Sequence, residues 1–272
     1  MKPSNPSSGD TTPPIIRLES ITKAFGGVRA LNGISLGFPT GRTTVVLGPS
    51  GCGKSVMLKH IIGLLRPDQG EVWFQSQRVD RMREHELVDI RRRVGFLFQQ
   101  GALFDSMTVG QNIAFPLREH TDISRADRHE RVDHMLELVG VPGTARRMPS
   151  ELSGGQRKRI ALARSIVLNP EVVLYDEPTT GLDPIRSDVI AQLILRLQDT
   201  LSITSIVVTH DITTAFKIAD TMVMMNEGRI LLQGDPDLFR NTDDDVIRRF
   251  LDGRASPEEL GELTNNFEGN DS

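Results

Sequence analysis

The sequence predicts an α/β fold: a mixed-sheet core, with an antiparallel β lobe before it and a helical subdomain set into it. Three observations carry this prediction. First, a β-branched run, Thr43-Thr44-Val45-Val46-Leu47, meets a glycine-rich loop and then an apolar helical pattern from Val56 to Leu65, stopped by Pro67. Second, Val172-Val173-Leu174-Tyr175 and Ile203 to Val208 read as buried strands, delivering Asp176-Glu177 and Thr209-His210-Asp211 at the edge where α/β sheets place ligands. Third, the stretch between these strands, Thr108 to Leu168, is mostly helical in pattern.

The elements follow in order. Residues 1–14, rich in Ser, Pro and Thr, read as a disordered segment. From Ile15 to Leu47 short strands alternate with glycine turns, which suits an antiparallel lobe. Glu71 to Gln75 and Val94 to Phe98 add strands, with a charged helical stretch around Arg83 to Arg92 between them. Ser153 is a good N-cap for a helix over Arg157 to Leu168, which carries Ile160, Ala163 and Val167 at helical spacing and ends at Asn169-Pro170. Asp188 to Leu197 places Val189, Ile190, Leu193, Ile194 and Leu197 on one helical face. Thr221 to Asn226 and Arg229 to Gln233 form a hairpin turned at Glu227-Gly228. Beyond it, Asp243-Asp244-Asp245 starts a helix with Val246, Ile247, Phe250 and Leu251 as its apolar stripe, and Ser256-Pro257-Glu258-Glu259 reads as a second start. Two readings of this tail are open. It packs on its own domain, or it reaches over a second copy with Phe267 as an anchor.

Composition narrows the function classes. A chain of 272 residues buries a proper core. Its net charge of −4 argues against a dedicated nucleic-acid binder. No apolar run approaches the roughly 20 residues that span a bilayer. The first residues lack the apolar core of a signal peptide, which points to the cytosol. Cys52 is the one cysteine, so an internal disulfide is excluded. Its position at a helix start predicts a lowered, reactive thiol. His60, His85, His120, His129 and His134 show no metal-ligand spacing and read as surface residues.

The chemistry-bearing residues lie at the strand ends. Gly48-Pro49-Ser50-Gly51-Cys52-Gly53-Lys54-Ser55 fits the G-x-x-x-x-G-K-[ST] pattern, in which glycines let backbone N–H groups curl around phosphate oxygens at a helix N-terminus. Lys54 then reaches the β- and γ-phosphates, and the Ser55 hydroxyl ligates Mg²⁺. Asp176 suits a hold on the same ion. Glu177 beside it is placed to take a proton from an attacking water. His210 emerges at the same edge, and Gln99, after Val94 to Phe98, is able to contact both metal and water. Ser153-Gly154-Gly155-Gln156 forms a second phosphate-ready helix start.

The ordered set Gly48–Ser55, Gln99, Leu152–Gln156, Val172–Glu177, Gly181-Leu182-Asp183 and His210 resembles the nucleotide-binding domain of ATP-binding-cassette (ABC) transporters, over about residues 15 to 236. The motifs correspond to Walker A, Q-loop, signature, Walker B, D-loop and H-loop. The resemblance implies an ABC-type P-loop NTPase domain at 15–236, with a helical signature subdomain at about 100–168 and a helical tail at 237–272. It also implies an ATPase that uses ATP and Mg²⁺. Phe25 then stacks on adenine, and Val56, where threonine is usual, completes the loop. The signature acts on ATP bound to a second copy of the chain, with Asp183 in the D-loop between them. The run Val94 to Glu119, with Lys59 to Asp68 and Tyr175 to Pro184, is similar to the ATPases of Mla-type phospholipid transporters. That likeness implies a peripheral protein on the cytoplasmic face of the inner membrane, moving lipid between inner and outer membranes. Its partners would be an MlaE-like permease, an MlaD-like MCE-type subunit and a small STAS-type subunit. ATPases for amino-acid or other small-solute uptake, and cassette ATPases that work without a permease, are the alternatives.

Overall fold

The computed structural model describes residues 13–255 and contains two sheets. The antiparallel sheet has the order β2-β1-β4-β5, from β1 (Ile16–Phe25), β2 (Val28–Phe38), β4 (Gln69–Phe74) and β5 (Gln77–Arg78). The second sheet comprises β3 (Thr43–Leu47), β6 (Val94–Leu97), β7 (Val172–Asp176), β8 (Thr204–Thr209), β9 (Thr221–Asn226) and β10 (Arg229–Gly234). Its order is β10-β9-β3-β8-β7-β6, parallel except for the terminal β9–β10 hairpin. The glycine-rich loop therefore leaves a central strand, and the strand carrying Asp176 lies one strand away, beyond β8.

Strand alternation explains why the core strands read as unbroken apolar runs. Val45 and Leu47, Val173 and Tyr175, Val207, Met222 and Met224 belong to one buried cluster; Val46, Val172 and Leu174, Ile206 and Val208, Val223 and Met225 belong to the other. Both faces of the sheet are thus covered, as parallel sheets require. One face packs under α1 (Lys54–Ile61), α2 (Glu84–Arg93) and the antiparallel sheet. The other packs under α3 (Val109–His120), α4 (Arg125–Leu138), α5 (Gly154–Ile166), α6 (Pro184–Leu201) and α7 (Ile212–Ile218). Among the described residues no helix is long and apolar enough to cross a membrane.

One local expectation needs correction. The helix after the loop stops at Ile61 rather than running to Leu65, because Gly63 takes φ 65° and closes the turn through its N–H to His60 O at 3.1 Å. In the tail, α8 (Pro236–Arg240) and α9 (Asp245–Leu251) follow β10. Asp244 caps α9 by accepting from the Val246 and Ile247 N–H groups at 2.9 and 3.1 Å. Its apolar stripe covers the chain's own core: Ile247 is fully buried, with Phe250 and Leu251 packed beside it, while Val246 stays exposed. Burial of an aliphatic side chain of this size stabilises by about 1.5–3 kcal/mol. The second helix start at Ser256 and the anchor assigned to Phe267 lie outside the described residues, as does most of the 1–14 segment.

Candidate active site

The loop between β3 and α1 is shaped by what it packs against. Gly53 turns into α1 at φ 105°, and a Cβ there would come within 2.3 Å of Ala30 O on β2, so the position takes only glycine. Lys54, the first residue of α1, folds back so that Nζ donates to Gly48 O at 2.7 Å and Pro49 O at 2.9 Å. Nζ also stands 3.8 Å from Glu177 Oε1. A lysine only 6% exposed needs such partners, since an unpaired buried cation is costly. Pro49, Ser50 and Gly51 form the exposed crest of the loop.

The neighbouring strand ends supply the rest of the cluster. Asp176 closes β7, and its Oδ1 accepts from Ser55 Oγ at 2.7 Å. Burial pushes the Asp176 carboxyl above its usual pKa, and the Ser55 hydrogen bond works against that. Glu177 follows at once, its N–H donating to Val208 O on β8 at 2.9 Å. Its Oε2 lies 2.9 Å from His210 Nδ1 and accepts from the His210 N–H at 3.4 Å and the Thr180 hydroxyl at 3.3 Å. Lys54, Ser55, Asp176, Glu177 and His210 therefore converge, because β3, β8 and β7 are adjacent and end on the same side. The donor set suits a magnesium-bound triphosphate: a lysine and loop backbone for phosphate, and a hydroxyl and carboxylate, both hard oxygen donors, for the cation.

Other expected residues lie around this cluster. Gln99 follows β6 and is exposed, without a side-chain hydrogen bond to the cluster among the described residues. Phe25 sits at the tip of the β1–β2 hairpin, 47% exposed, with the Lys23 ammonium 5.6 Å from its ring centroid. Ser153 caps α5: its Oγ accepts from the Gln156 N–H at 3.3 Å, and Gln156 Oε1 accepts from the Ser153 N–H at 3.0 Å. Gly154 and Gly155 lie against Leu182 and Arg186 beside the start of α6, whose cap Asp183 accepts from the Arg186 N–H at 2.9 Å. Among the described residues no hydrogen bond joins Ser153, Gly154 or Gly155 to Lys54 of the same chain.

Two expectations fail here, both for reasons of burial. Cys52 turns its side chain into the apolar cluster beneath the loop and is 6% exposed; burial raises its thiol pKa, outweighing the pull of Lys54. His60 is buried rather than on the surface. Its Nδ1 donates to Val56 O at 2.7 Å while Nε2 is buried without a hydrogen-bond partner among the described residues, and burial lowers its pKa. Val56 packs its side chain against the same cluster. One residue was not anticipated at all. Lys158, set in the charged run Arg157-Lys158-Arg159, is buried and donates to Glu177 O at 3.2 Å.

Comparison with known proteins agrees with this geometry. The ABC transporter family model matches residues 31–180. The chain is 39% identical over 241 residues to the intermembrane phospholipid transport system ATP-binding protein MlaF of Escherichia coli K12, covering 89% of this chain and 90% of that one. It is 42% identical over 239 residues to the probable ribonucleotide transport ATP-binding protein mkl of Mycobacterium tuberculosis H37Rv, covering 88% of this chain and 67% of that one. Its fold matches an ATP-binding cassette solved as a dimer in a post-hydrolysis state with ADP and Pi, with a TM-score of 0.75 and 32% identity, covering 81% of this chain and 98% of the other. With a phosphate loop, a carboxylate pair and a capped glycine helix start in place, and relatives matched along most of their length, the chain belongs to the ABC transporter family as an ATP-hydrolysing transport subunit.

Proposed function

We propose that this chain powers phospholipid transport between the inner and outer membranes, as a homodimeric ATPase bound to the cytoplasmic face of an MlaE-like permease with MCE-type and STAS-type partners. What supports the cargo is the end-to-end match with MlaF, which leaves little of either chain unpaired. The relatives named for ribonucleotide transport favour a second reading, although more of their length lies outside the match.

In this reading two copies face head to tail. Lys54 and the loop hold the β- and γ-phosphates of ATP, Phe25 stacks on its base, and Ser153-Gly154-Gly155 of the other copy closes over the γ-phosphate. Ser55, Asp176 and Gln99 would hold Mg²⁺, which would neutralise phosphate charge when bound. Glu177 accepts the proton of the attacking water, and His210 fixes the orientation of its carboxylate. Loss of the bridging phosphate releases the two copies, since ATP and ADP differ in affinity for the closed pair. The exposed Phe98 and Phe104, beside Gln99, offer an apolar surface for the permease.

The test is to purify the tagged chain from detergent-solubilised membranes with its permease, reconstitute the complex in vesicles, and measure ATPase stimulation and transfer with fluorescent phospholipid or with ribonucleotide. Phospholipid transfer dependent on ATP is the expected result. Stimulation by ribonucleotide alone would replace the proposed cargo.

A further inference from the structure

We propose that Lys158 is a positioning residue for Glu177, tying the base of each subunit to the helix that carries the same subunit's signature. The inference rests on the reading of Glu177 as the base given above.

The starting observation is the backbone of Glu177. Its φ is 51°, in the left-handed region that side chains other than glycine rarely adopt, so its surroundings must hold it there. On one side its N–H is tied to Val208 O at 2.9 Å. On the other, its carbonyl accepts from Lys158 Nζ at 3.2 Å and from the Thr180 N–H at 3.3 Å. The first and last of these bonds join residues at the same sheet edge. The Lys158 bond alone reaches to another layer.

Lys158 is built for that single contact. Its neighbours in the charged run turn to other carbonyls: Arg157 donates to Leu152 O at 2.6 Å and Arg159 to Gly140 O at 2.8 Å. Lys158 instead points inward and is 8% exposed, and Glu177 O is its hydrogen-bond acceptor among the described residues. A buried ammonium needs a nearby negative group, and the Glu177 carboxylate supplies it; burial brings the lysine pKa down to about 8 while the glutamate opposes the fall. The cation thus meets Glu177 at its backbone carbonyl, whereas Lys54 and His210 meet its carboxylate.

The location of Lys158 gives the bond its consequence. It lies on α5, whose cap is Ser153 and whose first turn is Gly154-Gly155. The cap Ser153 lies five positions, roughly 7.5 Å of helical rise, before the anchor. When the signature closes over the other subunit's ATP, any tilt of α5 is transmitted through Lys158 Nζ to the carbonyl of Glu177. Each base is therefore aligned by whether its own subunit has engaged the opposite nucleotide. The two ATP sites read each other through this lysine.

The experiment compares Lys158→Met, which keeps length and loses the donor, with Lys158→Arg, which keeps both charge and donor, in the full-length chain. Lys158→Met is expected to lower kcat about tenfold or more, the range for losing a hydrogen bond from a charged group, with KM for ATP within about threefold of wild type. The Hill coefficient for ATP should fall toward one. Lys158→Arg should recover most of kcat. In a Glu177→Gln background, ATP-driven dimerisation on gel filtration should be unchanged by Lys158→Met, because binding is not the step affected. Wild-type kcat in Lys158→Met would overturn the proposal, as would a joint loss of kcat, ATP affinity and dimerisation that Lys158→Arg does not recover. If Lys158→Met does not fold, Lys158→Leu, which also removes both charge and donor, carries the same comparison. Glu177→Gln assayed alone separates the two layers. Wild-type turnover there removes the base assignment itself, whereas an inactive Glu177→Gln beside a fully active Lys158→Met removes only the link.

Discussion

Replacing Glu177 by glutamine should separate ATP binding from ATP hydrolysis. The substitution is nearly isosteric and leaves the backbone bond to Val208 O intact, so the fold should persist. An amide oxygen at the Oε2 position still accepts from His210 and Thr180, whose contacts there are 2.9 and 3.3 Å. What disappears is the proton acceptor, worth roughly 10²–10⁴ in rate for a general base. A second effect has the opposite sign for binding. Glu177 Oε1 stands 3.8 Å from Lys54 Nζ, a gross attraction of about 4 kcal/mol at an effective dielectric of about 20. That attraction competes with the γ-phosphate for the lysine. The glutamine variant removes the competition and the carboxylate's repulsion of phosphate together, so ATP should bind at least as tightly as in wild type. Phosphate release under steady-state conditions, nucleotide affinity and gel filtration with and without Mg-ATP measure the three quantities. Turnover within about threefold of wild type, or weakened ATP binding, would refute the assignment.

Lys54→Ala should behave differently, losing nucleotide affinity as well as rate, by ~10²–10³ in kcat if the lysine acts like a lost oxyanion donor; equal ATP-driven dimers in this variant and Glu177→Gln would contradict both roles. Cys52 should react with maleimide at least about tenfold more slowly than a free thiol at neutral pH and become fully reactive only on unfolding. Rapid labelling of the native protein would contradict its inward orientation. His60 should make the protein acid-sensitive. Its folded pKa lies below the unfolded value of 6.5, so the unfolded chain binds the proton first and stability falls as pH drops below that value. The slope from this one residue is at most about 1.4 kcal/mol per pH unit. Melting curves between pH 7.5 and 5 should be flatter for His60→Gln than for wild type, and equal slopes would remove His60 as the cause.

The features legible in the sequence were those that a local pattern dictates. Glycine spacing locates the loop at 48–55, Ser153 forms the expected N-cap, and unbroken apolar runs mark β3, β7 and β8 because both of their faces are buried. What escaped depends on direction and partner. A histidine on α1 looks like a surface residue until the antiparallel sheet and α2 cover that helix. Cys52 sits beside phosphate-binding positions in sequence, yet the loop turns its thiol toward the core. Lys158 is hidden between two arginines, and no periodicity distinguishes the one side chain of the three that points inward. The left-handed backbone of Glu177 has no sequence signature either, since it arises from the strand end and the carbonyl partners gathered there.

The strand order also governs how this chain comes into being. β3 carries the phosphate loop, yet both of its partners in the sheet, β8 and β9, are encoded far downstream: Thr43 pairs with Ser205, and Thr44 with Thr221. At about 5–20 residues per second, the roughly 160 residues between β3 and β8 take on the order of 10–30 s to be made. For that interval an apolar strand with two open edges waits on the ribosome, and the lysine loop has no carboxylates to face. The antiparallel sheet is complete much earlier, since its last strands, β4 and β5, end by Arg78. Nascent chains of this protein should therefore acquire a folded N-terminal lobe long before they acquire a nucleotide site, which waits until β8 and β9 have emerged.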